Sequence, residues 1–331
     1  MTDLEQRLLN DYQRGFPLVP EPFACLAEEL GHAGRDVLAM LENLVSRGVV
    51  SRVGPVFAPN RIGASTLAAM AVPEDELERV AAIVSEHAEV NHNYEREHRL
   101  NLWFVITAPD RARLRAVMGD IERRGGHAVL PLPLVKAYHI DLGFRVHGGP
   151  ARSYRRKLPA VRPARPVAMD GAPDADLIAA IQLGLPLVER PYRAIGERIG
   201  LDERGVIERI AAMQRAGIIK RLGVIVRHRK LGYRANAMLV WDIPDERVDE
   251  VGRTLATVDC VTLCYQRPRR PPDWPYNLFC MIHGKDRREV LSCIDELIDE
   301  LALNGLGHDV LFSRRCFKQR GAMYRPERTV A

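Results

Sequence analysis

The chain has 331 residues, 47% of them hydrophobic and 27% charged, with a net charge of +5 at pH 7. This is the composition of a soluble globular protein with room for more than one core, not of a disordered or fibrous chain. No stretch approaches the roughly 20 apolar residues of a membrane span, and MTDLEQRLLNDYQRG lacks the parts of a signal peptide, so a cytoplasmic protein is expected.

Helical spacing of apolar residues runs over 3–14. Pro22 then opens a helix through Leu30, and a third helix over 35–47 is closed by Gly48. Two short β-prone runs follow, Val49–Val53 and Pro55–Phe57, predicting a two-stranded ribbon. Strands are expected at Ser65–Val72, Val90–Tyr94, Leu100–Thr107 and Val129–Leu142, with helices at Glu74–His87 and Asp110–Arg123. Between Arg145 and Ala172 stand seven Lys or Arg against one acid, Asp170, together with four prolines. This segment holds more than the whole net charge and reads as an extended linker, leaving the rest of the chain nearly neutral.

After it the pattern returns. Gln13-Arg14-Gly15-Phe16-Pro17-Leu18-Val19 recurs 169 residues later as Gln182-Leu183-Gly184-Leu185-Pro186-Leu187-Val188. At the same offset Gly31, Gly48, Gly54 and Gly63 fall on Gly200, Gly217, Gly223 and Gly232, and Arg52 falls on Arg221. The chain is therefore two copies of one unit. In the second copy the helices fall at 174–183, 191–199 and 203–216, the last with Asp202 as N-cap, followed by a β-prone run at 218–226. Strands are then expected at 234–242, 260–266, 276–283 and 308–318, with helices at 245–256 and 286–301. Each copy reads as a winged helix-turn-helix followed by a ferredoxin-like β-α-β-β-α-β unit, an α+β fold in tandem. The expected boundaries are 1–63 and 174–232 for the winged units, 64–144 and 233–325 for the ferredoxin-like units, and 145–173 for the linker. The six cysteines show no CxxC spacing, which predicts reduced thiols and no metal site.

This arrangement resembles the Lrp/AsnC transcription regulators over nearly all of both copies. Two segments are more specific. Asn91-His92-Asn93-Tyr94-Glu95-Arg96-Glu97-His98-Arg99-Leu100-Asn101-Leu102-Trp103-Phe104 resembles the signature of one subunit type of the siroheme decarboxylases. Val261-Thr262-Leu263-Cys264-Tyr265-Gln266-Arg267-Pro268 with Asp273-Trp274-Pro275-Tyr276-Asn277-Leu278-Phe279-Cys280-Met281-Ile282-His283 is similar to that of the paired type. The chain thus looks like a fused two-subunit member of that family. The resemblance implies removal of the C12 and C18 acetate carboxylates of siroheme to give 12,18-didecarboxysiroheme, on the way to haem d1 or, by a related route, ordinary haem. It also implies no cofactor beyond the iron that siroheme itself carries.

Aligning the two signatures pairs Tyr94 with Tyr265 and Arg96 with Arg267, but His92 with Leu263. One productive pocket, built mainly on the first copy's histidines, is expected. Decarboxylation needs a proton donor near neutral pH, which points to His92 and His98, with Tyr94 in support. A substrate with eight carboxylates needs cations, which points to Arg96, Arg99 and Arg267. Trp103 and Tyr265 are candidates for packing on the macrocycle, and His283, with His139, stands second in rank. In a strand His92, Tyr94 and Arg96 share one face and Asn93 and Glu95 the other, a pattern that an exposed polar sheet face also shows. The expected partners are siroheme and, within the chain, the other copy as a pseudo-dimer. Self-association or a second decarboxylase of the family would add to these. The competing readings are a DNA-binding regulator and a tetrapyrrole sensor without turnover. The third helices carry Asp36 and Glu42, and Asp202 and Glu203, at the end that would approach phosphate, so nucleic acid is not the expected partner.

Overall fold

The computed structural model describes residues 1–140 and 174–325. The basic segment expected as the linker, 145–173, lies outside the described residues.

Local signals set the helices. In the first copy α1 (Asp3–Asp11) opens on a capping box of Thr2 and Glu5. Helix α2 (Pro22–Leu30) starts on a proline and ends at Gly31, whose φ of 73° needs a glycine, and α3 (Gly34–Ser46) follows. Then come β1 (Val50–Phe57), β2 (Ala64–Met70), α4 (Leu77–Glu86), β3 (Val90–Arg96), β4 (Leu102–Ala108), α5 (Arg111–Gly125), β5 (Leu130–Pro133) and β6 (Lys136–Ile140). The second copy has α6 (Ala175–Ile181), α7 (Pro191–Ile199), α8 (Glu203–Arg215), β7 (Ile219–Val226), a 3-10 turn (His228–Leu231), β8 (Ala235–Trp241), α9 (Val248–Leu255), β9 (Val261–Gln266), β10 (Leu278–Gly284), α10 (Arg287–Glu300) and β11 (His308–Gln319). Asp202 caps α8 as expected, accepting from the Gly205 amide at 2.8 Å.

Two expectations are corrected, and both corrections join the copies. The β-prone run after α3 is one strand, not a hairpin. Strand β1 pairs antiparallel with β7 of the other copy, Gly54 opposite Gly223. The repeated Gln-x-Gly turns explain those glycines. A Cβ on Gly54 would stand 2.8 Å from the Gly184 Cα, and one on Gly223 would stand 2.3 Å from the Gln13 carbonyl. Each copy's turn thus lies on the other copy's strand, and the Leu185 amide donates to Val53 at 2.7 Å as the Val224 amide donates to Tyr12 at 2.8 Å.

The last strand of the first copy is likewise divided. Strand β5 pairs with β2, and β6 crosses to β9 of the second copy. Strand β11 does the same without a break, using His308–Phe312 on β8 and Ser313–Gln319 on β3. The order is β5-β2-β4-β3-β11-β8-β10-β9-β6. Because β5 and β6 are consecutive, the two ends of that order meet and the sheet closes on itself. The copies therefore pair within one chain as a pseudo-dimer. Helices α4 and α5 cover the first half of the outer surface over Val80, Val84, Phe104 and Ile121, and α9 and α10 cover the second over Val251, Leu255, Ile294 and Leu297. Trp103, Trp274, Phe279, Met281 and Leu132 fill part of the inside.

A third expectation also fails. Cys260 and Cys293 are joined by a disulfide between the start of β9 and α10. Their separation of 33 residues gives no sign in the sequence that helix and sheet bring them face to face. Cys264 and Cys280 are free thiols in the same core, with sulfurs 3.6 Å apart.

The repeat also preserves a side-chain clamp. Asn101 accepts from the Val72 amide at 3.0 Å and donates to the Val72 carbonyl at 2.8 Å. Asn277 does the same to Ile243, at 3.0 and 2.8 Å. Asn277 is buried and Asn101 half-buried. Asn277→Ala should cost about 1–3 kcal/mol by stranding both Ile243 groups, and Asn101→Ala should cost less. Urea-denaturation midpoints of the two variants check this, and equal losses would refute the burial argument.

Candidate active site

The closed sheet and the β1–β7 ribbon enclose a cavity of about 330 Å³. Its wall comes from both copies and from the segment after β11. Alternation along β3 turns His92, Tyr94 and Arg96 inward. The opposite face is used by Asn93, which donates to the Ala81 carbonyl and Ser85 hydroxyl of α4, both at 3.0 Å, and by Glu95, which pairs with Arg315.

Tyr94 stacks on His92 at 6.2 Å between ring centres, with the Arg96 and Arg229 guanidiniums each 5.9 Å from its ring. Burial, followed by the neighbouring Cys316, pushes its hydroxyl well above the usual range. Burial, then the charge of Arg52, holds His92 down to about 4. Trp103, buried, presents its face to the cavity and donates its Nε1–H to the Leu100 carbonyl at 2.6 Å. Tyr265 also lines the cavity, stacked on Phe279 at 5.9 Å.

His283 reaches the cavity from β10. The Thr262 hydroxyl donates to the Met281 carbonyl at 2.8 Å, so at 2.8 Å from His283 Nδ1 it must accept, and the ring carries its proton on Nδ1. Edge-on to it at 4.9 Å is His228, whose Nε2 accepts from the Asn236 amide at 3.1 Å. Burial, then Arg229 and His92, hold His228 at about 4.

Three expected residues do not join this cavity wall. His98 sits in the loop before β4, where its Nδ1 accepts from the Leu100 amide at 2.9 Å and its Nε2 lies 3.8 Å from Asp309. Arg99 is exposed and pairs with Asp273 at 2.8 Å. Arg267 lies over the Tyr265 ring at 4.6 Å and donates to the Leu132 carbonyl on the other copy's last strand. Arg96 makes the mirror contact to Leu311 at 2.9 Å while also lining the cavity. His139, on β6 opposite Cys264, is not among the lining residues.

The sequence reading missed His228, Arg52, Arg221, Arg227 and Arg320, all of which line the cavity. The pocket is therefore not built mainly on the first copy, since two of its three histidines come from the second. The comparison that singled out His92 against Leu263 would have found His228, which stands against Pro59 at the constant offset. Among the described residues no aspartate or glutamate lines the cavity, whereas five arginines do. That imbalance fits a polyanionic ligand.

Both histidines held near 4 have an ordinary value of 6.5. Their folded values are lowered, so the unfolded chain takes up protons first as pH falls. Stability is full above about 6.5 and drops below it, by up to about 1.4 kcal/mol per pH unit for each histidine. His92→Leu, which installs the second copy's residue, should make the fall in urea midpoint between pH 6.5 and 5 measurably shallower. An unchanged slope would mean that His92 is not held neutral.

Comparison with known proteins agrees on the whole chain. A family model described as an AsnC-like ligand binding domain matches residues 61–139 and 230–318, and one described as a siroheme decarboxylase NirDL-like HTH domain matches 5–50 and 174–220. The siroheme decarboxylase NirDL subunit of Paracoccus denitrificans is 44% identical over 97% of both chains. The NirD subunit of Stutzerimonas stutzeri is 55% identical over 43% of this chain and 93% of its own. A crystal structure of the siroheme decarboxylase NirDL in co-complex with an iron-uroporphyrin III analogue superimposes with a TM-score of 0.69 at 29% identity, covering 98% of this chain and 95% of the other.

Proposed function

The chain belongs to the siroheme decarboxylase family, and from that premise we infer that the arginine-lined cavity holds siroheme while its C12 and C18 acetates are decarboxylated. The observation that carries this reading is the wall itself, which among the described residues has five guanidiniums, three histidines and no carboxylate. A tetrapyrrole bearing acetates and propionates supplies the missing negative charge. The iron enters as part of the substrate, and decarboxylation, being redox-neutral, asks for no further cofactor.

Loss of CO2 leaves the bonding pair on the former methylene carbon, conjugated with the ring, and a proton must replace the carboxyl group. His92 is placed to deliver it, with Tyr94 stacked on its ring. His283, with Nδ1 committed to Thr262, offers Nε2 as the second group able to carry a proton. Arg96 holds a carboxylate; burial lowers it to about 10, which leaves it charged at neutral pH. Trp103 and Tyr265, both lining the cavity, supply apolar surface for the macrocycle. His98, Arg99 and Arg267 are assigned to the scaffold in this reading, because each is engaged outside the cavity wall. The product serves haem d1 formation in the cytoplasm under the same reading. Among the described residues no helix is long and apolar enough to cross a membrane.

Anaerobic incubation with siroheme, followed by mass spectrometry of the extracted tetrapyrrole, should show loss of two CO2. His92→Leu should slow this by roughly 10²–10⁴-fold, the usual share of a general acid, and still bind iron-uroporphyrin. His98→Ala should stay within a few-fold of the parent rate. Unchanged mass despite tight binding would make the protein a sensor, and full activity in His92→Leu would remove His92 from the chemistry.

A further inference from the structure

Each decarboxylation, R–CH2–COO⁻ + H⁺ → R–CH3 + CO2, breaks one C–C bond and consumes one proton, the bonding pair ending in the new C–H bond. The empty cavity is badly placed to hold that proton. Sharing the cavity wall with His92 are Tyr94 and Arg96 from its own strand, Arg52 from the ribbon, Arg221, His228 and Arg227 from the second copy's wing, His283 from β10 and Arg320 from the tail. None of these is an acid, so nothing among the described residues of the wall favours a charged imidazole.

Arg52 shares with Arg96 and Arg320 a buried Nε that has no hydrogen-bond partner among the described residues, and of the three it is the one whose charge bears on His92. Its Nη2 donates to the Pro55 carbonyl at 3.1 Å, while its Nε is buried with no hydrogen-bond partner. No protein carboxylate pairs with it among the described residues. One side of the guanidinium is fenced by the segment after β11. A Cβ on Gly321 would lie 2.8 Å from Nη1 and 3.0 Å from Cζ, so the tail backbone lies directly against the guanidinium. Gln182 fastens that tail, accepting from the Tyr324 amide at 2.8 Å and donating to the Arg325 carbonyl at 2.7 Å. An anion therefore reaches Arg52 from the cavity. A buried guanidinium left short of a partner is a binding element waiting for a carboxylate.

We propose that Arg52 is the residue through which substrate charges its own proton donor: it binds a tetrapyrrole carboxylate that is retained in the product, and its cancelled repulsion lets His92 take up a proton only when the cavity is filled. The inference rests on the siroheme reading of the cavity. After burial, the charge of Arg52 is the second cause that holds His92 neutral. A carboxylate docked on Arg52 offsets that charge and adds attraction of its own. Substrate binding and proton uptake become one linked event, and affinity rises as pH falls. An empty site stays uncharged at His92.

Isothermal titration calorimetry with iron-uroporphyrin III, run near pH 6.5 in two buffers of different ionisation enthalpy, counts the protons taken up on binding. The native protein should take up a measurable fraction of one, since burial, the larger cause holding His92 neutral, remains when the cavity is filled. Arg52→Gln should bind about tenfold more weakly or worse and lose most of the uptake. His92→Leu should lose the uptake while keeping its affinity within a few-fold, and the double variant should lose no more uptake than either single one. Arg52→Lys, which keeps the charge, should retain the uptake with weaker binding and guards against misreading a misfolded Gln variant. Undiminished uptake in Arg52→Gln, or in His92→Leu, would overturn the linkage. Failure of the native protein to bind iron-uroporphyrin at all would instead sink the siroheme reading, and the linkage with it.

Discussion

Backbone pairing between the copies is the constraint on which the rest depends. Neither copy closes its own sheet. Strand β11 bridges β8 and β3, and β6 leaves its own copy for β9. Unpaired edges of this kind leave rows of amides and carbonyls exposed, and here each edge is satisfied by the other copy. The Gln-x-Gly turn and the Gly54–Gly223 pair add a second interlock in the winged layer. Arg96 and Arg267 add a third, each donating to a carbonyl on the other copy's last strand. Fusion of the copies into one chain lowers the entropic cost of bringing these surfaces together. A cavity walled by both copies exists only once the pairing is complete.

Pairing two near-copies gives a two-fold frame, and a symmetric frame would offer equivalent walls. The chemistry needs the symmetry broken. His92 faces the interior where the second copy has Leu263, and His283 does so where the first has Thr107. His228, on a 3-10 turn and hydrogen-bonded to Asn236, stands where the first copy has Pro59. The scaffold residues Asn101 and Asn277 and the interlocking glycines stay matched, because they answer to the backbone. The groups that meet the ligand have diverged, because one substrate occupies one cavity.

That division explains what the sequence could reveal. Helices were legible from capping and periodicity: Pro22, Pro191, Asp202 and the glycines at 31 and 200 mark ends that local geometry enforces. Faces of β3 were legible too, since alternation alone separates His92 and Tyr94 from Asn93 and Glu95. Partners in pairing were not. A strand signal does not say which edge it meets, so a β1 that pairs with β7 was read as a local hairpin, and the break at Pro133 was read as one continuous strand. The Cys260–Cys293 disulfide stayed hidden for the same reason, as its two ends come from the turn before β9 and from α10, joined only by tertiary packing. The site was half visible. His92, Tyr94, Arg96 and Trp103 lie within one short motif, whereas Arg52, His228 and Arg320 reach the cavity from three distant segments.

The price of such a site is paid in charge. Five guanidiniums around one cavity repel each other, and Arg96 among them is buried, at a cost larger than a surface salt bridge returns. The fold meets this with neutral acceptors instead of acids. Arg96 donates to Leu311, Arg52 to Pro55, Arg221 to Gln13 and Arg320 to Ala88, all of them main-chain carbonyls. A carboxylate at any of these positions would have stabilised the empty protein by forming an internal ion pair, and would then have competed with the substrate for the same cation. Carbonyl dipoles hold a guanidinium in place without cancelling its charge, so the full attraction remains for a polyanion. The same argument accounts for the ion pairs that do occur, such as Glu95 with Arg315 and Glu97 with Arg287, which lie outside the cavity wall. Acids are used where they stabilise the shell and are kept out of the one place where they would blunt recognition.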